Sequence, residues 1–126
     1  MGKIIIKTAE APAPIGPYNQ AIKAGNMLFV SGQIALDPST GELLMENIEQ
    51  EANQVMKNIG SILSEAGAGF EDIVKTTIFL SDMSLFAEVN EIYGKYFSSN
   101  FPARETVAAK GLPKNVNVEI SVTAIV

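Results

Sequence analysis

The chain of 126 residues contains no cysteine, no histidine and no tryptophan, and a single arginine, Arg104. Without cysteine there is no disulfide framework, no thiol nucleophile and no thiolate metal site. Without histidine the commonest general base and metal ligand is missing as well. Serine-histidine triads, papain-type sites and zinc deaminases are closed for the same reason. Charge is scarce too, at 18% of residues against 47% hydrophobic. A surface that lean on so small a chain points to apolar area covered by another subunit, so a homo-oligomer is expected.

Long apolar runs are also missing: stretches such as Ile4 to Ile6 and Met27 to Val30 fall far short of a bilayer span or a signal-peptide core. The net charge is -5, and the lysines are scattered singly from Lys3 to Lys114, so no basic stripe exists for a phosphate backbone. The expectation is a soluble cytoplasmic protein with no membrane and no nucleic-acid partner. Length alone suggests one domain over residues 1–126, large enough to bury a core without staples.

What is present is patterned. KIIIK (3–7) is a short β-branched run ending in APAPIGP (11–17), whose prolines forbid helix and sheet interior alike. Residues 18–34 read as two strands about Gly25-Asn26, a turn pair suited to positive φ, and DPSTGE (37–42) as a surface turn. Ile48, Ala52, Val55, Ile59, Ile62, Leu63 and Ala66 recur at spacings of three and four, which predicts an amphipathic helix. Asn47 can cap it, Gln50 stands in the capping-box position, and Gly67 offers a left-handed stop. IVKTTIFL (73–80) reads as a strand. Leu85, Phe86, Val89, Ile92, Tyr93, Tyr96 and Phe97 predict a second helix, started by Ser81, Asp82 or Ser84. Strands from about 104 to 110 and from Val116 to Val126 follow. The order β-β-β-α-β-α-β-β predicts an α+β fold, about six strands in a mixed sheet with two helices on one face. The other sheet face would then pack on neighbouring subunits.

Metal and phosphate chemistry have little to stand on. Glu49-Glu51 and Glu71-Asp72 lack EF-hand or DxD spacing and read as solvated helix surface. GAG at 67–69 follows a helix and reads as its C-terminal stop, not as a nucleotide loop. The groups left for chemistry are Arg104, Glu119, the tyrosines at 18, 93 and 96, hydroxyls such as Ser31 and Thr106, and Asn90. Arg104 begins a strand directly after a Phe-Pro loop, where rigid backbone would hold a guanidinium for a planar anion. A salt bridge to Glu105 or Glu119 would suit the same position equally well. Glu119 alternates with Ser121 and Thr123 against Val118, Ile120, Val122 and Ala124, so its carboxyl should be partly buried. It is a candidate general base or water-holder, or a structural partner for a neighbouring subunit. Tyr18 and Ser31 read first as packing and turn residues.

IGPYNQA (15–21), VSGQI (30–34), FAEVNEIYGKYF (86–97), FPARETV (101–107) and LPKNVNVEI (112–120) together resemble the Rid family, RidA type. The resemblance covers nearly the whole chain, and five separated motifs in order are more specific than any one of them. It implies a chorismate-mutase-like fold assembled as a homotrimer, its sheets forming a central barrel with three clefts between subunits. It also implies an enzyme, a reactive-intermediate deaminase. Such enzymes hydrolyse imines and enamines released by pyridoxal-phosphate enzymes, 2-iminobutanoate and 2-iminopropanoate among them, to 2-oxo acids and ammonia. A non-catalytic 2-oxo-acid-binding regulator of the same family is the alternative. Carried over motif by motif, Arg104 would grip the substrate carboxylate, and backbone at Thr106 and Gly32 would contact its imine and carboxylate ends. Tyr18, Ser31 and Asn90 would complete the cleft, and Glu119 would orient the attacking water. No metal or cofactor is implied. Thr106 stands where many members carry cysteine, and Glu105 where a small polar residue is common. As strand neighbours, Glu105 and Arg104 should point to opposite faces.

Overall fold

The β-branched runs pair into one sheet, and the two apolar stripes at helical spacing cover one side of it. The computed structural model describes residues 2–126. Strands β1 (Ile4–Ile6), β2 (Ala21–Ala24), β3 (Met27–Gln33), β4 (Ile73–Leu80), β5 (Ala103–Ala108) and β6 (Val118–Ile125) lie in the order β1-β2-β3-β6-β4-β5. Neighbours are antiparallel except β4 and β5, which run parallel because a helical crossover joins them. Helix α1 (Ile48–Glu65) links β3 to β4, and α2 (Phe86–Gly94) is that crossover. The sheet is thus mixed and six-stranded, as the sequence predicts.

Local chemistry sets the boundaries. Gly25-Asn26 joins β2 to β3 with positive φ at Gly25 alone, +62°, the pattern of a type II′ hairpin. Asn47 Oδ1 accepts the Gln50 amide at 2.8 Å and so caps α1, while Gln50 Oε1 reaches back past the cap to the Glu46 amide, also at 2.8 Å. Gly67, at φ +75°, closes the other end. Asp82 accepts the Ser84 amide at 2.8 Å and starts the turn that leads into α2. That helix stops at Gly94, shorter than its apolar stripe predicts. Tyr96 and Phe97 leave the helix and pack on Phe70, with ring centres 5.2 and 6.0 Å away, so aromatic stacking outcompetes another helical turn.

The core lies between the helices and one sheet face. Val118, Ile120, Val122 and Ala124 of β6 are buried there with Leu28, Met56, Ile59, Ile62 and Leu63. Glu119, Ser121 and Thr123 point the other way, half-buried, on a face that no helix covers. Ile5, Ile22 and Phe29 form a cross-strand row on this bare face, and Phe79 with Val107 form another. Ile5, Phe29 and Val107 are 57%, 45% and 47% exposed, a large apolar surface for an unpartnered sheet. No helix among the described residues is long and apolar enough to cross a membrane.

A second sequence-based expectation fails, beside the length of α2. Glu51 does not belong to a solvated helix surface. It is fully buried on the sheet side of α1, where its side-chain oxygens accept the Asn117 amide at 2.7 Å, Asn117 Nδ2 at 3.0 Å and the Val118 amide at 3.2 Å. Asn117 Oδ1 in turn accepts the Ser81 hydroxyl at 2.9 Å. Buried amides at the head of a central strand need acceptors, and each such bond contributes about 1 kcal/mol or more. The clamp fixes β6 just ahead of Glu119.

Candidate active site

Pro102 holds the chain extended into β5, and strand alternation then sorts the side chains. Arg104 pairs in register with Thr76, a buried residue, and so points to the helix side, while Glu105 points to the bare face. The Arg104 guanidinium carbon lies 5.2 Å from the centre of the Tyr93 ring and 5.6 Å from that of Phe86. Both distances are within cation–π range. Among the described residues Arg104 forms no ion pair. Glu105 pairs instead with Lys75, Oε1 to Nζ at 3.1 Å, on the opposite side of the sheet. The salt-bridge reading of Arg104, open on sequence grounds, therefore has no partner among the described residues, and Glu105 leaves the guanidinium free.

Around Arg104 an open cleft of about 520 Å³ is lined by Asn90, Tyr93, Gly94, Phe101 and Pro102. That is the size of a small-ligand site. Phe101 carries its rim, stacked on Phe97 at 6.0 Å, which stacks in turn on Tyr93 at 4.9 Å. The Tyr93 hydroxyl donates to Thr76 Oγ1 at 2.9 Å. Burial pushes that hydroxyl above the usual phenol range, against smaller opposing pulls from the Thr76 bond and the Arg104 charge. Thr106 follows Arg104 on the same face, and its buried Oγ1 has no hydrogen-bond partner among the described residues.

Glu119 occupies the other side of the sheet. Its carboxyl sits in a pocket of only about 50 Å³, bordered by Pro12, Ile15, Tyr18, Gly32 and Pro113. That volume suits a few waters. Desolvation raises the Glu119 pKa above the ordinary carboxylate range. The approach of Gly32 is close: a Cβ there would stand 2.7 Å from Glu119 Oε2. Ser31 and Gly32 lie in a bulge of β3, where Val30 pairs with Val122 but Gln33 pairs with Ile120, three steps against two. The Ser31 hydroxyl is tied to the Asn19 carbonyl at 2.6 Å, and Tyr18 Oη accepts the Ile15 amide at 3.2 Å.

Two contributors, Gln20 and Phe86, carry no site role on sequence grounds. Gln20, almost fully buried, holds the proline loop beside this pocket: its Nε2 donates to the Pro12 carbonyl at 2.9 Å and its Oε1 accepts the Thr8 amide at 2.7 Å. Phe86, part of the apolar stripe, and Tyr93, of the stripe and also one of the candidate tyrosines, stand against the arginine. Their spacing of seven with Asn90 between puts all three on one helix face, a signal that was present in the sequence. Within one chain, then, Arg104 and Asn90 share one cleft, whereas Glu119, Gly32 and Tyr18 share another on the opposite face. No group of three or more Asp or Glu side chains is placed to hold a metal ion among the described residues.

A free guanidinium backed by aromatic rings in a ligand-sized cleft has the chemistry to suit a small planar anion. The family model described as Endoribonuclease L-PSP matches residues 8–126. A RutC family protein of Synechocystis sp. is 56% identical, covering 96% of this chain and 95% of that one. The human 2-iminobutanoate/2-iminopropanoate deaminase is 48% identical over 96% of this chain and 88% of its own length. A solved structure from Yersinia pestis, described as a protein of unknown function of the conserved Rid protein family, superposes with a TM-score of 0.97. It is 47% identical and covers 99% of this chain and 100% of its own. The chain belongs to this family, the Rid family, and is of its RidA type.

Proposed function

We propose that this protein is an imine deaminase, converting 2-iminobutanoate, 2-iminopropanoate and their enamine tautomers to 2-oxo acids and ammonia. The observation that carries the reading is Arg104, a guanidinium with no ion-pair partner among the described residues, held in a cleft of the right size. The name of the human relative points to the same chemistry. A protonated imine is already electrophilic at carbon, so the site needs a grip and a placed water more than a protein nucleophile. Arg104 forks onto the substrate carboxylate, and the Thr106 and Gly32 backbones and the Asn90 side chain border the reacting end. Glu119 takes a proton from water as the C–O bond forms. It returns that proton to nitrogen and takes up the remaining hydroxyl proton as the C–N bond breaks, so that ammonia leaves, the carbonyl forms, and the second proton passes from Glu119 to solvent. No metal or cofactor enters these steps.

Arg104 and Glu119 lie on opposite faces of one sheet, so we read a complete site as shared between adjacent protomers of a homotrimer. The apolar rows on the bare face would be covered at its centre, and residues 1–126 would act as one domain, in the cytoplasm. RNA cleavage, which the description of the family model suggests, is not supported by a net charge of -5 and scattered lysines.

The test generates the imine in situ with a pyridoxal-phosphate dehydratase and follows its disappearance. Wild type accelerates it, Arg104→Ala does not, and Arg104→Ala co-assembled with Glu119→Gln recovers part of the rate, because mixed trimers contain intact shared sites. Saturable 2-oxobutanoate binding with no acceleration would make the protein a regulator instead. Gly32→Ala supplies a finer check. Its new methyl group displaces the carboxylate end of Glu119 and meets no backbone atom as closely, so kcat should fall about 100-fold with the melting temperature within about 2 °C of wild type.

A further inference from the structure

We propose that Phe86 and Tyr93 are positioning residues, an aromatic cradle that holds the Arg104 guanidinium while leaving all its N–H donors free for the substrate. The inference rests on the reading that Arg104 takes the substrate carboxylate. An arginine head can be fixed in two ways. A carboxylate fixes it through the in-plane fork, which uses the donors and cancels the charge. An aromatic face fixes it through the ring quadrupole, from the side, and uses neither. Arg104 has two such faces, at 5.2 and 5.6 Å, and no acidic partner among the described residues.

The cradle is itself held in place. Tyr93 is 4% exposed, bonded through its hydroxyl to Thr76 and stacked on Phe97 at 4.9 Å. Thr76 is the register partner of Arg104 on the adjacent strand, so the ring is anchored to the same pair of strands that carries the guanidinium. Phe86 is 37% exposed at the start of α2 and closes the second side, with Asn90 one helical turn along. Charge and ring are thereby fixed relative to one another before any ligand arrives. Preorganisation of this kind lowers the ordering cost of binding and acts on affinity for the carboxylate, leaving the chemical step alone.

The experiment compares inhibition by 2-oxobutanoate with inhibition by its neutral amide, alongside kcat and KM for imine hydrolysis, in Tyr93→Leu, Tyr93→Phe and Phe86→Leu. Tyr93→Leu should narrow the wild-type preference for the acid over the amide about tenfold and raise KM by a similar factor, with kcat within about twofold. Tyr93→Phe, which keeps the ring, should restore most of the preference. Phe86→Leu, at a partly exposed position that tolerates the change, should repeat the Tyr93→Leu pattern if that variant folds poorly. Equal weakening of acid and amide in both leucine variants, or a loss in kcat alone, would show the rings to be packing and overturn the cradle. If wild type itself shows no preference for the acid, the carboxylate reading of Arg104 falls first, and the cradle falls with it.

Discussion

Arg104→Lys is expected to lose about 100-fold or more in kcat/KM for imine hydrolysis while the protein keeps its fold and its mass in solution. The two halves of that result have separate causes. A lysine ammonium offers a compact, strongly hydrated point charge on a flexible four-carbon stem, so it can attract a carboxylate but cannot orient it with two parallel bonds. A bidentate pair shielded from water is worth about 1.5 to 3 kcal/mol through its hydrogen bonds, and misplacing the electrophilic carbon relative to the water adds to the loss. Stability is spared because the guanidinium takes no part in an ion pair among the described residues. Steady-state kinetics and a solution mass measurement read both halves. A lysine variant within about threefold of wild type would mean that charge alone suffices, contrary to the fork geometry.

Glu119→Gln should do the opposite to the two properties, lowering kcat by about 100- to 1,000-fold while making the protein more stable at neutral pH. Desolvation holds the carboxyl above its ordinary range, so wild-type kcat should climb on an acid limb displaced upward from that of a free carboxylate. The glutamine variant should lack this limb. For stability the sign runs the same way. A carboxyl whose pKa is raised by folding favours the folded state below its unfolded pKa, and that contribution is lost as pH rises through the folded pKa. Above that window wild type carries an ionised group in a poorly solvated pocket, and the variant does not. The variant should therefore melt higher at pH 7, and the gap should close as pH falls below the unfolded carboxylate range. Equal melting at pH 7, or a surviving acid limb, would contradict the assignment.

Much of this molecule could be read from sequence because its strands and helices follow local rules. The two-residue turn at Gly25, the caps at Asn47 and Asp82 and the alternation in β6 each depend on residues close in the chain. Arg104 and Glu119 could be singled out by scarcity and by pattern. Two things could not. Glu51 sits at helical spacing with Val55, Asn58 and Ile62, which hinted at burial, but its partner Asn117 is 66 residues away and only the fold brings it near. The side of the sheet on which each site residue falls was equally hidden. Alternation tells neighbours apart within a strand, whereas comparing Arg104 with Glu119 requires the register of β5 on β4 and of β4 on β6.

The bulge at Ser31 and Gly32 has a consequence for how the sheet finds its alignment. A regular ladder between β3 and β6 could slide by two residues and still keep apolar side chains inward. Here a slide of that kind would bring the branched side chain of Ile34 into the place of Gly32 beside the Glu119 carboxyl, where a methyl group already requires that carboxyl to move. Gly32 therefore works as a keyhole that admits this registration of the two strands and rejects the slide that brings Ile34 to its place. The absence of a side chain at one position specifies the pairing of the central strands, and with it the place of every residue that faces the pocket.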